Sequence, residues 1–256
     1  MASRAEILRE LGLAPVWRLR RVATQDAASP EDEAPGSVRP GSAQARAHGD
    51  EPAPAVDADD RRMRIATLAL DALVEDIGAC RACGLCATRN RTVPGVGAVD
   101  AQWMFVGEAP GADEDAQGEP FVGAAGQLLD NMLAALRMAR GDGVYIANVL
   151  KCRPPGNRAP TPLEAAACRP YLDRQIELIA PRLIVALGKS AACTLLDVDA
   201  SVASLRNRVH RYRGTSLIVT YHPAYLLRNP ADKAKAWEDL LFARRTLREL
   251  AVVSAG

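Results

Sequence analysis

The sequence predicts an α/β protein, a three-layer α/β/α sandwich around a central four-stranded parallel sheet. Three observations predict it. Four short runs, at 103–106, 144–149, 183–187 and 217–221, are almost wholly apolar, as strands buried on both faces are. Each is followed by a longer stretch with helical spacing, at 124–139, 161–179, 189–196 and 231–250. Strand and helix then alternate along the chain, the pattern of a parallel sheet covered on both sides.

Taken in order, the first 21 residues carry a net charge of +3 and place Ile7, Leu8, Leu11 and Leu13 at partly helical spacing, with Trp17 beyond. This short helical segment is a candidate for docking a protein partner. Residues 22–60 hold nine acidic and two basic residues, five prolines, and no Leu, Ile, Met or aromatic residue. Such a stretch cannot bury enough apolar surface to offset its ordering entropy and reads as a disordered acidic linker. Residues 61–256 then carry +5, a mildly basic globular part large enough for one core, compatible with nucleic acid but not diagnostic of it. No apolar run approaches a membrane span, and the N-terminus lacks a secretory layout, so a cytoplasmic, monomeric protein is expected.

Met63, Leu68, Leu70, Leu73, Val74 and Ile77 suit a helix ending near Gly78. The helix at 161–179 starts on a plausible N-cap, Thr161, with Pro162 at its first position. Each apolar run is followed by a polar or Gly/Pro-rich segment. In order these are Gly107-Glu108-Ala109-Pro110-Gly111, Asn148 through Pro155, Gly188-Lys189-Ser190, and His222-Pro223-Ala224-Tyr225. In open parallel sheets ligands sit beyond the carboxyl ends of the strands, so these four segments should share one rim and form the site.

Cys80 and Cys83 form C-x2-C, Cys86 extends it, and Cys152 and Cys168 flank the connection after the second run. In a reducing compartment they suit metal rather than disulfides. Spacing leaves a four-cysteine zinc site, an iron–sulfur cluster and buried free thiols all open. Cys193 lies on an apolar helix face and reads as core.

Cys80–Cys86, Gly107 through Asp115, Gly118-Glu119-Pro120-Phe121-Val122-Gly123, Asn148 through Pro155, and Tyr221 through Arg228 together resemble the family-4 uracil-DNA glycosylases. These are the iron–sulfur branch of the uracil-DNA glycosylase superfamily, and the resemblance covers roughly residues 66–253. It implies an enzyme that flips uracil out of single- or double-stranded DNA and hydrolyses its N-glycosidic bond, leaving an abasic site. It implies Cys80, Cys83, Cys152 and Cys168 as ligands of a structural [4Fe–4S] cluster. Cys86 falls where relatives often carry a non-ligating residue.

A base inside a duplex must be extruded into a pocket and read by its edge. The resemblance gives Phe121 as the stacking face, with Gly107 and Ala109 beside the substrate. An amide can donate to uracil O4 and accept from N3–H, the reverse of what cytosine offers, which suits Asn148. Glu114 corresponds to the acidic residue that crowds the thymine methyl. His222 corresponds to the donor at O2 of the departing base, where negative charge develops. Glu108, with Asp113, is the candidate for orienting water or stabilising the sugar cation. Leu226, Leu227 and Arg228 are the candidate wedge that fills the vacated helix. Lys151, Arg153, Arg158, Arg206, Arg208, Arg211 and Arg213 are candidate phosphate contacts.

Three rival readings are weaker. Gly188-Lys189-Ser190 is not a P-loop, because Leu183 stands where the earlier Gly should be. Arg208-Val209-His210-Arg211 resembles the element of a covalently trapping relative, but Ala109 replaces the Gln of those proteins. A non-catalytic iron–sulfur module binding DNA or a polymerase would release no uracil.

Overall fold

The computed structural model describes residues 55–253. The N-terminal helical segment and residues 22–54 of the acidic stretch lie outside them. Helix α1 (Ala55–Ala66) begins six residues inside the segment read as linker. The single helix expected up to Gly78 is two, α1 and α2 (Leu70–Ala79), separated by Thr67, Leu68 and Ala69. The break lets Ile65 face the same core as Leu73 and Ile77.

The sheet has six strands, not four. Its order is β1 (Val96–Gly97), β3 (Val144–Asn148), β2 (Trp103–Gly107), β4 (Leu183–Leu187), β6 (Thr215–Thr220), β5 (His210–Tyr212). The central four are the expected runs and pair in parallel. The outer two pair antiparallel and cover edges that would otherwise present free backbone groups. Strand β5 turns into β6 through Arg213 and Gly214, both at positive φ, the backbone twist a two-residue hairpin needs.

Alternate residues of each central strand feed opposite layers. Met104, Val106, Ile184, Ala186, Leu217 and Val219 pack on α1, α2, α5 (Pro162–Ile179) and α6 (Gly188–Leu196). Trp103, Phe105, Val144, Ile146, Val185 and Ile218 pack on α4 (Ala124–Ala135) and α9 (Lys233–Val253). The chain is thus the expected three-layer sandwich. Strands buried on both faces explain why hydrophobicity runs unbroken through them.

Helix α5 starts as expected. The Thr161 hydroxyl accepts from the Glu164 amide at 3.2 Å, and the Glu164 carboxylate accepts from the Thr161 amide at 2.8 Å. Short helices α3 (Ala112–Gln117), α7 (Val202–Leu205) and α8 (Pro223–Arg228) occupy segments read as loop. Among the described residues no helix is long and apolar enough to cross a membrane.

Candidate active site

The carboxyl ends of β2 and β3 lie side by side, with Gly107 paired to Asn148. Gly107 is a requirement of that junction. A Cβ there would collide with Asn148 Oδ1 and lie 2.6 Å from Phe121 Cζ. Beyond the strand ends opens a cavity of about 720 Å³, lined among others by Glu108, Ala109, Glu114, Phe121, Asn148 and His222. All four post-strand segments contribute to it.

Asn148 is 2% exposed, and its Oδ1 is the one buried side-chain oxygen or nitrogen among the described residues without a hydrogen-bond partner. Leaving a buried acceptor unpaired costs roughly 1–3 kcal/mol, so the pocket is built for a donor that arrives with its ligand.

His222 caps α8. Its Nδ1 accepts from the Ala224 amide at 3.1 Å. A ring nitrogen that accepts from a backbone N–H carries no proton, so the neutral ring bears its hydrogen on Nε2. Burial, with Arg228 nearby, lowers the imidazole to about 4 and keeps it neutral near pH 7. Gly188, at φ +88°, gives it room, since a Cβ there would lie 2.8 Å from His222 Cβ.

Phe121 is 5% exposed and stacks on His222, with ring centroids 5.5 Å apart. It holds φ +56°, a conformation uncommon for an aromatic residue. Glu114 accepts from the Gly111, Val122 and Gly123 amides at 3.0, 3.0 and 3.2 Å, so its carboxylate organises the Phe121 loop while lining the cavity. Glu108 is half-buried and hydrogen-bonded to Ser190, and burial raises its carboxyl above the ordinary range.

Not every expected residue joins this group. Asp113 is exposed and does not line the cavity; its carboxylate faces Gly123, where a Cβ would lie 2.5 Å away. Leu226 is 1% exposed, packed as the inward face of α8, and cannot act as a wedge; Leu227 is 43% exposed and Arg228 lies at the cavity mouth. Lys151 is not a phosphate contact either. Its buried ammonium donates to Asn148 O and Gln175 Oε1, both at 2.7 Å. Arg206 is committed to Glu238 and Asp239, and Arg213 to Asp173 and Glu177. His210 contacts the Leu205 carbonyl at 2.8 Å and does not line the cavity. Cys193, read as core, is half-buried and lines the pocket.

Sequence reasoning placed Ser190 and Tyr225 in the rim segments but missed Ser190 as the partner of Glu108. Position was the available signal for both, as each sits in the first turns of the helix that follows β4 or β6.

Behind the site, Cys80, Cys83, Cys86, Cys152 and Cys168 line one small, tightly packed cavity. Among the described residues no three His, Cys, Asp or Glu side chains are placed as they would be around a bound metal ion, so the fit of a metal group rests on the chemistry around the thiols. Basic groups surround the thiols. Arg89 donates to Cys152 Sγ at 3.1 Å and Arg61 to Cys80 Sγ at 3.6 Å, and the Lys151 amide donates to Cys168 Sγ at 3.3 Å. Neither arginine makes an ion pair with a carboxylate among the described residues. As free thiols Cys83, Cys152 and Cys168 would stay protonated, since burial pushes Cys168 up to about 12 and raises Cys83 and Cys152. Cysteines faced by two arginines without carboxylate partners suit an anionic tetrathiolate cluster, whose iron would hold them deprotonated.

Fold and site together define a class: an α/β/α sandwich with a pocket at its strand ends for one planar heterocycle, backed by a thiol-lined cavity. Residues 94–241 match the family model of the uracil DNA glycosylase superfamily. A type-4 uracil-DNA glycosylase of Archaeoglobus fulgidus is 48% identical over 63% of this chain and 84% of its own length. That of Sulfurisphaera tokodaii is 42% identical over 72% and 85%, and that of Thermotoga maritima 45% over 65% and 87%. The chain belongs to the uracil DNA glycosylase superfamily, in its type-4 branch.

Proposed function

We propose that this protein excises uracil from DNA by hydrolysing its N-glycosidic bond, leaving an abasic site for repair. The observation that carries this reading is the unpartnered Oδ1 of Asn148, a buried residue lining a cavity that also holds a neutral His222.

Uracil flipped into the cavity would stack on Phe121. Asn148 Oδ1 would accept N3–H while its amide nitrogen donates to O4. Cytosine presents a lone pair at N3 and a donor at position 4, so it would leave this acceptor unpaired and meet donor with donor. His222, with its proton on Nε2, would donate to O2 as negative charge builds on the departing base. A neutral donor suits this task, because it stabilises the anion without proton transfer. Glu108, as carboxylate, would stabilise the cationic sugar or orient water, positioned by Ser190. Glu114 would limit space at the thymine methyl while holding the Phe121 loop. Leu227 and Arg228 would face the opened strand.

Cys80, Cys83, Cys152 and Cys168 would hold a [4Fe–4S] cluster, which when bound supplies a structural cross-link between the segment before β1 and the loop after β3. Lys151 extends that link to the site, since its amide meets Cys168 and its ammonium holds the Asn148 carbonyl.

The test is a single-turnover assay on oligonucleotides containing uracil, cytosine or thymine, read as alkali-labile strand breaks. Breaks at uracil are expected, with Asn148→Ala losing about a hundredfold or more in kcat/KM. A cluster-loaded wild type that leaves uracil DNA intact refutes the reading and favours a binding module.

A further inference from the structure

The backbone on either side of the Phe121 ring is gripped by opposite charges. Arg140 donates from Nη1 to Pro120 O at 2.7 Å and from Nη2 to Phe121 O. The next two amides, of Val122 and Gly123, donate to Glu114 Oε1. Two consecutive carbonyls therefore point to a cation and two consecutive amides to an anion, and Phe121 sits at the junction. The grip is itself braced. Arg140 Nε donates to Asp130 Oδ1 at 2.8 Å, and Nη1 lies 3.5 Å from Glu119. On the remaining side the α4 backbone closes in, since a Cβ on Gly126 would overlap the Phe121 carbonyl.

Phe121 needs such a grip. A non-glycine residue holds φ +56° only where its surroundings impose it, and here that conformation turns the ring onto His222 and into the cavity wall. Arg140 does not line the cavity, and its side chain is 20% exposed. Its ion pairs with the half-exposed Glu119 and Asp130 contribute little by themselves. The fork to two carbonyls is the distinctive feature, and a lysine cannot reproduce it.

We propose that Arg140 is a positioning residue for excision: with Glu114 it clamps the Pro120–Gly123 backbone and holds the Phe121 ring where the flipped base must stack. The inference rests on the proposed reading of Phe121 as the face for uracil. With the clamp released, Phe121 relaxes toward negative φ, and both ground-state stacking and alignment of the base against His222 suffer. Both KM and kcat should therefore worsen.

The experiment compares wild type, Arg140→Met, Arg140→Lys, Phe121→Ala and the Arg140→Met/Phe121→Ala double variant in the cluster-loaded full chain. It reads single-turnover kcat, KM, inhibition by free uracil, and Tm. Arg140→Met is expected to lower kcat/KM and weaken uracil inhibition by about tenfold each. Arg140→Lys should recover part of both, because one carbonyl keeps its cation. In the Phe121→Ala background the same Arg140→Met change should cost less than about twofold, since no ring remains to be placed.

An Arg140→Met protein within about twofold of wild type in both readouts overturns the proposal, as does an undiminished effect in the Phe121→Ala background. If Arg140→Met does not fold, Arg140→Lys decides, and unchanged uracil inhibition there overturns the proposal. A wild type that releases no uracil defeats the glycosylase reading instead, a different outcome from an active wild type indifferent to Arg140.

Discussion

The state of His222 follows from one hydrogen bond. Because the Ala224 amide fills Nδ1, protonating the ring would set two donors face to face, and burial adds a penalty for the charge. Nitrogen-15 NMR of labelled histidine should therefore find His222 neutral at pH 6, protonated on Nε2, and titrating near 4. A resonance titrating near the ordinary 6.5 would remove the basis for a neutral donor. The sign for stability is fixed as well. The unfolded chain takes up this proton at higher pH than the folded one, so the contribution is full above the ordinary value and declines as pH falls from about 6.5 to about 4. Replacing His222 by Ala should lower kcat by about 10²–10³-fold, the usual effect of removing a donor at a developing anion.

Glu108 acts on the acid limb of the activity profile. Its carboxyl is raised by burial, and its proposed work needs the carboxylate. Activity should then rise with pH through a midpoint above the ordinary carboxylate range. In Glu108→Gln the remaining activity should lose that limb. An unchanged acid limb in this variant would assign the titration elsewhere.

Among the elements, those written in unbroken hydrophobicity were legible and those defined by pairing were not. Strands β2, β3, β4 and β6 announce themselves because both faces are buried. Strand β1 is two residues, and β5 reads His210-Arg211-Tyr212, so neither carries an apolar run. Only pairing makes them strands, β1 with the distant β3 and β5 with β6 across the tight Arg213-Gly214 turn. Helix α8 hid for a related reason. In the segment read as a loop bearing a wedge, one turn packs Leu226 inward and leaves Leu227 out, a difference that one apolar pair cannot reveal in a sequence.

The rim itself was legible, because four segments after four parallel strands must meet. Its internal bracing by Arg140, Lys151 and Ser190 was not, since these bonds join residues with no shared spacing. Gly107 shows how narrow the tolerance is where two elements meet. Gly107→Ala should push Asn148 and Phe121 apart and lower kcat/KM by about tenfold or more, with little loss of Tm if the strand gives locally. Wild-type activity in Gly107→Ala would mean that the strand-end geometry is not limiting.

At the scale of the whole molecule, the question is where the catalytic unit begins. The family match starts at residue 94, yet the described structure starts at residue 55, and α1 makes contacts that the match does not include. Arg61 donates to Cys80 Sγ and to Ala167 O at 2.9 Å, and its guanidinium lies 4.7 Å over the Tyr171 ring. It thus bridges the cysteine motif to α5, the helix that carries Cys168. Removing α1 should expose Cys80, withdraw one of the cations around the thiol cavity, and open the wall between them. With a cluster held as proposed, a chain starting at Ala55 is accordingly expected to keep iron, visible absorbance and uracil excision within about twofold of the full chain. A chain starting at Leu70 should bleach in air several-fold faster, with excision falling as the cluster is lost. Arg61→Met in the full chain separates the donor from the helix and should bleach at an intermediate rate. Equal bleaching in all of these proteins would show that α1 lies against the cysteine cavity without protecting it, and would move the start of the functional unit toward residue 70.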